Sequence, residues 1–174
     1  MTRRRVEVVP YRSEWNELFD QEKKLLESLL EPAEVIIHHI GSTSVPGLSA
    51  KPIIDIMLAA DSLEQVEKAT PAIVAAGYDA KGENGIPGRR YFQKSDENGI
   101  RKIHLHSYEK GSPELHRHLV FRDYLRAHPE EASRYAAVKE EAARKYEYDI
   151  ESYIEEKSPL VRELEQRAMQ WKPS

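Results

Sequence analysis

The chain has 174 residues, 40% of them hydrophobic and 32% charged, with a net charge of −4 and a pI near 6.0. This balance is globular. It lacks the basic excess of a dedicated duplex-DNA binder and any apolar run near the roughly 20 residues a transmembrane helix needs. With no cysteine there is no disulfide, thiol nucleophile or thiolate metal site, and without a charged-then-apolar leader the expected location is the cytoplasm.

Arg3-Arg4-Arg5 is a basic cluster that reads as a solvated end, with a nucleic-acid arm as the sharper alternative. Val6 to Val9 alternates weakly and stops at Pro10, which predicts a short edge strand or extended arm. Ser13 can cap a helix running to about Leu30, with Trp15, Leu18, Phe19, Leu25, Leu26, Leu29 and Leu30 as its buried stripe. Glu34 to Ile40 reads as a strand, Gly41 to Lys51 as a loop with room for one helical turn, and Ile53 to Leu58 as a strand covered on both faces. Ser62 with Gln65 resembles a capping box; Gly77 is a natural stop for the helix that follows, and Pro71 inside it predicts a kink or an early end. Tyr78 begins a run of short strands. Asn84-Gly85 and Pro87-Gly88 mark turns, Arg89 to Ser95 a strand, Asn98-Gly99 a hairpin, and Ile100 to Tyr108 its return. Helices are then expected over about Glu114–Ala127 and from Pro129 to about Tyr148, with a last helix interrupted near Ser158-Pro159. The expected architecture is one α/β (α+β) domain over residues 1–174, with a small mixed sheet flanked by helices and a helical C-terminal third.

Chemistry concentrates between residues 41 and 55. At Ile40-Gly41-Ser42-Thr43-Ser44 a buried strand runs into glycine and three small hydroxyl residues. Glycine lets backbone approach a ligand closely, and N–H groups opening a helical turn can hold an anion. The same residues could simply cap a turn. A P-loop is excluded by spacing, because Pro46 occupies its second glycine slot and Lys51 does not follow Gly47. Asp55, thirteen residues after Ser42, is one charge in Ile53-Ile54-Asp55-Ile56, where an unpaired carboxylate is costly to bury. Alternation places it with Ile53, Met57 and Ala59 on one face. An acid so placed pairs with a base, caps backbone or binds a metal.

The blocks His39-Ile40-Gly41-Ser42-Thr43-Ser44-Val45-Pro46-Gly47-Leu48 and Ala50-Lys51-Pro52-Ile53-Ile54-Asp55-Ile56 resemble the GrpB family, within the DNA polymerase β-like nucleotidyltransferase superfamily. Val8-Val9-Pro10-Tyr11, Gly88-Arg89-Arg90-Tyr91-Phe92, His104-Leu105-His106 and Phe121-Arg122-Asp123-Tyr124-Leu125-Arg126 extend the resemblance over nearly the whole chain. A related domain is fused to dephospho-CoA kinase. The resemblance implies a nucleotidyltransferase fold in which Gly41, Ser42, Thr43 and Ser44 hold nucleotide phosphates and acids hold divalent metal, Mg²⁺ or Mn²⁺.

The sequence departs from that pattern. The second acid expected two residues after the first is Met57, and His38 stands where relatives carry glutamate. A third carboxylate is expected on a neighbouring strand, where His104 and His106 share a face. Asp55, His104 and His106 are therefore the candidate catalytic and metal-binding set, better suited to Zn²⁺, Mn²⁺ or Fe²⁺ than to Mg²⁺. Alternatively the histidines contact phosphate, act as acid and base, or line a solvated strand face. Lys51, Arg89, Arg90 and Tyr91 could reach phosphate or stack on a base, with Arg90 on the face opposite Arg89 and Tyr91; surface salt bridging is the other reading for the arginines. Arg122 and Asp123 read as anchoring a helix to the sheet. Tyr135, Lys139, Tyr153 and Lys157 could line a substrate groove or a solvated helix surface.

Three functions follow as expectations: transfer of a nucleoside monophosphate from an NTP to an unknown acceptor; nucleotide or CoA-metabolite binding without catalysis; and hydrolysis at a His/Asp metal site. In each the partner is a nucleotide or another phosphorylated small molecule, with no membrane or nucleic acid.

Overall fold

Among residues 5–172, which this computed structural model describes, five strands form one sheet in the order β1-β2-β5-β4-β3. They are β1 (Ile36–Ile40), β2 (Ile54–Ala60), β3 (Tyr78–Ala80), β4 (Arg90–Ser95) and β5 (Arg101–Glu109). β2 and β5 run parallel and the other neighbours antiparallel, so the sheet is mixed. Five helices accompany it: α1 (Glu14–Leu30), α2 (Leu63–Ala75), α3 (Pro113–Ala127), α4 (Pro129–Lys145) and α5 (Ile150–Trp171). None is long and apolar enough to cross a membrane. The expected α/β architecture with a helical last third is what the chain adopts.

Strand alternation gives the sheet two different faces. Ile54, Ile56, Leu58, Ile103, Leu105 and Phe92 pack with Trp15, Leu26 and Leu30 of α1 and Val66 and Ile73 of α2. The opposite face carries Ile40, Met57, Ala59 and Tyr108, which pack with Leu115 at the start of α3. Beyond it, α3, α4 and α5 build a second core, in which Val120, Leu125, Ala136 and Leu164 close on Val45 and Leu48 of the loop after β1. That loop is held between sheet and helical third, and the site forms there.

Several local expectations are corrected. Leu18 is exposed, and the buried face of α1 is Trp15, Leu26 and Leu30. Ser13 occupies the N-cap position without a side-chain cap bond. Ser62 does cap α2, accepting from the Glu64 N–H, but the buried Gln65 Oε1 has no partner, so the reciprocal half of a capping box is not made. Pro71 lies inside a continuous α2 and Pro159 inside a continuous α5. An interior proline costs about 3 kcal/mol, and the burial of Val66 and Ile73 in α2 and of Tyr153, Leu160 and Leu164 in α5 outweighs it. The N-terminal segment is an arm: Val9 bridges Ala50, and the Val6 N–H donates to Glu147 O at 2.6 Å. Of the arginine cluster, Arg3 and Arg4 lie outside the described residues, and Arg5 pairs with Glu147 at 3.0 Å.

Candidate functional site

Gly41 ends β1 with φ +73° and ψ −176°, a conformation essentially reserved for glycine. A Cβ there would lie 2.7 Å from Asp55 Oδ2. The missing side chain thus makes room for the carboxylate, directly opposite Ile40 in the β1–β2 register. Ser42–Ser44 then form one 3-10 turn. The glycine and the acid are one local unit.

The three hydroxyls of this turn differ in use. Thr43 Oγ1 bonds His39 Nε2 at 2.9 Å, and Ser44 Oγ donates to Gly41 O at 2.5 Å; both residues are buried. They shape the turn and offer no hydroxyl to a ligand, a correction to their expected phosphate contact. Arg126 donates to Ser44 O at 2.9 Å and Arg122 to His39 O at 3.1 Å, so α3 grips the turn by its carbonyls, as the anchoring reading anticipated. His39 stacks on Phe19 with ring centroids 4.8 Å apart, and burial pushes its pKa down to about 4, with Arg126 adding to the effect. It is a neutral strut. Ser42 is the half-buried member of the turn, and its Oγ accepts from Lys139 Nζ at 2.7 Å and also bonds the Tyr135 side chain.

Asp55 receives two imidazoles from β5. His104 Nδ1 lies 3.5 Å and His106 Nε2 3.6 Å from the same oxygen, Oδ1. The parallel register pairs Asp55 with His104 and Met57 with His106, which places both rings beside the carboxylate. Burial raises the Asp55 pKa, but the two imidazoles more than offset it and hold the carboxyl well below the usual range. The lowered pKa keeps it ionised, and its side chain retains 31% exposure.

Arg89 fixes His106. Its guanidinium donates to Glu83 O and Asn84 O and approaches His106 Nδ1 at 3.3 Å. A guanidinium can only donate, so Nδ1 accepts and the His106 proton sits on Nε2, toward Asp55. Arg89 also covers the Tyr91 ring at 4.6 Å, while the Tyr91 hydroxyl accepts from Gln93. Both residues are buried and already engaged, so they orient the site instead of contacting phosphate or base as expected. Arg90 points to the other face and pairs with Glu67 of α2 at 2.5 Å, outside the cluster.

The expected Asp55–His104–His106 metal set does not make a protein-only site, since no trio of His, Asp and Glu among the described residues is arranged to hold a metal. Both nitrogens aim at Oδ1, Arg89 caps His106, and the other nitrogen of His104 is buried without a partner. Met57, in the second-acid position, is fully buried in the apolar layer with Ile40, Ala59 and Tyr108. One hard oxygen ligand remains, Asp55.

The helical third contributes the cations. Lys139 is buried at 3% exposure on α4, with Nζ over the Tyr135 ring at 4.7 Å. Burial, reinforced by Lys157 and Lys51 and opposed by Asp55, lowers its pKa to about 7. Lys51 and Lys157 flank one ring, with Nζ atoms 5.0 and 5.3 Å from the Tyr153 centroid, and both pKa values are lowered, chiefly by burial. Tyr153 is fully buried, and its hydroxyl has no partner. Lys51 and Lys157 thus meet over one ring, and Tyr135, Lys139 and Tyr153 are buried and Lys157 half-buried, so these four residues do not form a solvated helix surface. The sequence signal was Lys139 itself, a lone charge on an α4 face otherwise made of Ala132, Tyr135, Ala136, Ala142 and Ala143. A cavity of about 780 Å³ adjoins the cluster, walled by Lys51, His104, Ile53, Ile100, Tyr148 and Ile150 among others; Asp55 is not in its wall.

Comparison with known proteins gives this arrangement relatives. A family model described as GrpB protein matches residues 5–167. UPF0157 protein YqkA of Bacillus subtilis is 46% identical over 98% of this chain, which spans only 49% of YqkA's length. Glutamate-rich protein GrpB of Alkalihalophilus pseudofirmus is 38% identical over 90% of this chain and 92% of its own. A dephospho-CoA kinase of Mycolicibacterium paratuberculosis matches 97% of this chain at 27% identity, over 47% of the kinase. The crystal structure of GrpB from Enterococcus faecalis superimposes with a TM-score of 0.89 at 34% identity, covering 97% of this chain and all (100%) of that one. The poly(U) polymerase Cid1, bound to Mg 3′-dATP, superimposes with a TM-score of 0.54 at 11% identity, over 76% of this chain and 41% of Cid1. At that identity the likeness concerns the fold alone, and the fold is that of the nucleotidyltransferases.

Proposed function

The chain belongs to the GrpB family, and from that premise we propose that it is a cytoplasmic nucleotidyltransferase-like protein that binds a nucleotide at the Gly41–Ser42 turn and transfers its nucleoside monophosphate to an acceptor. The observation that carries this reading is the convergence of Ser42, Lys51, Lys139 and Lys157 beside one ionised carboxylate. Phosphate oxygens would bond the Ser42 hydroxyl and the Lys139 ammonium. Lys51 and Lys157 would neutralise the charge of the departing pyrophosphate. The acceptor hydroxyl oxygen would attack the α-phosphorus and release its proton to solvent as the bond to the bridging oxygen breaks and pyrophosphate leaves. A divalent ion carried in by the phosphates would find Asp55 as its one protein ligand and would supply Lewis-acid activation of the α-phosphate. His104 and His106 hold that carboxylate charged and aimed. The adjoining cavity offers apolar and aromatic surface at Ile53, Ile100, Tyr148 and Ile150 for the organic part of a substrate.

A second reading, binding without transfer, is favoured by Met57, whose buried thioether leaves no second acid for a second metal. Because part of a dephospho-CoA kinase is similar to this chain, CoA precursors are the compounds to test as ligands in this reading. A thermal-shift screen of nucleoside triphosphates and CoA derivatives, with and without Mg²⁺, Mn²⁺ and Zn²⁺, tests both. A ligand at about 100 times its Kd should raise the melting temperature by about 5–10 °C. A nucleoside triphosphate that shifts the melt and releases pyrophosphate supports transfer. One that shifts it without ever releasing pyrophosphate supports the binding module. No shift with any phosphorylated compound rejects both.

A further inference from the structure

We propose that the lysine cluster captures the polyphosphate of its ligand without a divalent cation, Lys51, Lys139 and Lys157 together doing the charge neutralisation that paired carboxylates and metal do in a two-metal site. This rests on the nucleotide-binding reading and concerns the binding step.

The site is cationic by construction. The charged groups acting on Lys139 are Lys157, Lys51 and Asp55; on Lys51 they are Lys157 and Asp55; on Lys157, Asp55. Three ammonium groups therefore share one carboxylate, and that carboxylate is already faced by His104 and His106. None of the three cluster lysines makes an ion pair among the described residues, unlike Lys94, Lys102, Lys110 and Lys145, and unlike the equally unpaired Lys24, Lys68 and Lys81 none of the three is exposed.

The cluster is also held in place. Lys51 and Lys157 lie against the same buried Tyr153 ring, and Lys139 is fixed between the Tyr135 ring and Ser42 Oγ. Ammonium groups brought together with so little counter-charge repel one another, and a chain of phosphates relieves that repulsion at several points at once. The fully buried Tyr153 hydroxyl, without a partner, is a further donor at the same place. On the metal side the second ligand position is the buried Met57, and thioether sulfur is a poor ligand for Mg²⁺.

The test is calorimetric titration of the full chain with inorganic tripolyphosphate and with ATP, in EDTA and in excess Mg²⁺. The expected result is one site per chain, with affinity in EDTA at least equal to that in Mg²⁺. Asp55→Asn separates the alternatives: with no metal to hold, removing the carboxylate should tighten binding in EDTA by about tenfold at most, because one repelling charge is gone. Lys157→Met should weaken it by at least about tenfold. Melting curves of both variants establish that they are folded. Binding that appears only with Mg²⁺, or that Asp55→Asn abolishes, overturns this proposal and leaves nucleotide binding standing. If neither ligand binds under any condition, both readings fall.

Discussion

Replacing Gly41 with alanine should lower the melting temperature by about 5–10 °C and abolish the nucleotide-induced shift. Two independent effects act at this position. The backbone lies at φ +73° and ψ −176°, where a side chain costs about 1–3 kcal/mol. The new methyl would also sit 2.7 Å from Asp55 Oδ2, 3.1 Å from its Cβ and 3.3 Å from its Cγ. That carboxylate cannot yield freely, since His104 and His106 hold its other oxygen and β1 and β5 flank its strand. Either the turn moves away from the strand or the carboxylate leaves its imidazoles, and in both cases Ser42 and Asp55 lose their alignment. At about 2–4 °C per kcal/mol for a chain of this size, the strain and the clash together give the stated drop. Gly47→Ala is the control. It too has positive φ, +82°, but a Cβ there meets nothing within 4 Å. It should cost about 1 kcal/mol of backbone strain and leave ligand binding intact. Equal loss of binding in both variants would show that the Gly41–Asp55 contact has no special part in the site.

Lys139→Met should separate stability from function in opposite directions. The ammonium lies at 3% exposure, its pKa lowered to about 7 chiefly by burial. Replacing a buried charge with an apolar chain of similar volume commonly stabilises by about 1–4 kcal/mol, and the lost Ser42 bond takes back about 1 kcal/mol. The free variant should therefore melt higher than wild type while losing most of the ligand-induced shift. The pH dependence has a definite sign. An unfolded lysine keeps its proton to about 10.5, while the folded one releases it near 7, so over that window the unfolded chain binds more protons. Stability from this group is thus gained as pH rises from about 7 toward 10 and is absent below 7. Urea unfolding at pH 6, 7, 8 and 9 should show this rise in wild type and lack it in Lys139→Met. A variant less stable than wild type at pH 6 would show that Lys139 is a structural cation with no stability cost.

The fold was readable because its elements obey local rules. Alternation in Ile53 to Leu58 set Asp55 on the face of Ile53 and Met57, and alternation in Ile103 to His106 gave the two histidines a shared face; that the two faces coincide comes from the parallel β2–β5 register, which pairs Asp55 with His104. Gly41 announced a tight exit from a strand. The misreadings have tertiary causes. Pro71 and Pro159 seemed to end helices, but the cores they pack on outweigh the local penalty. Thr43 and Ser44 look like ligand hydroxyls in a linear reading, and only the folded turn turns them onto His39 and Gly41. Arg89 and Tyr91 reach the site as expected, yet Glu83, Asn84 and Gln93 absorb their polar groups, which no spacing rule foretells. The hardest feature to see was the Ser42–Lys139 contact, which spans 97 residues. It depends on how α4 and α5 pack over the loop after β1, and a single sequence encodes that only as an isolated lysine among alanines.

The central claim is that Lys51, before β2, and Lys157, on α5, face one anion together with Ser42. Lysine footprinting tests it most directly: brief acetylation of the full chain, with and without saturating ATP, read residue by residue by mass spectrometry. The account predicts that ATP protects Lys51 and Lys157 together, at the same half-saturating concentration, while Lys102 and Lys110 remain equally reactive. Protection of either cluster lysine without the other, or of neither while ATP demonstrably binds, would place the ligand elsewhere.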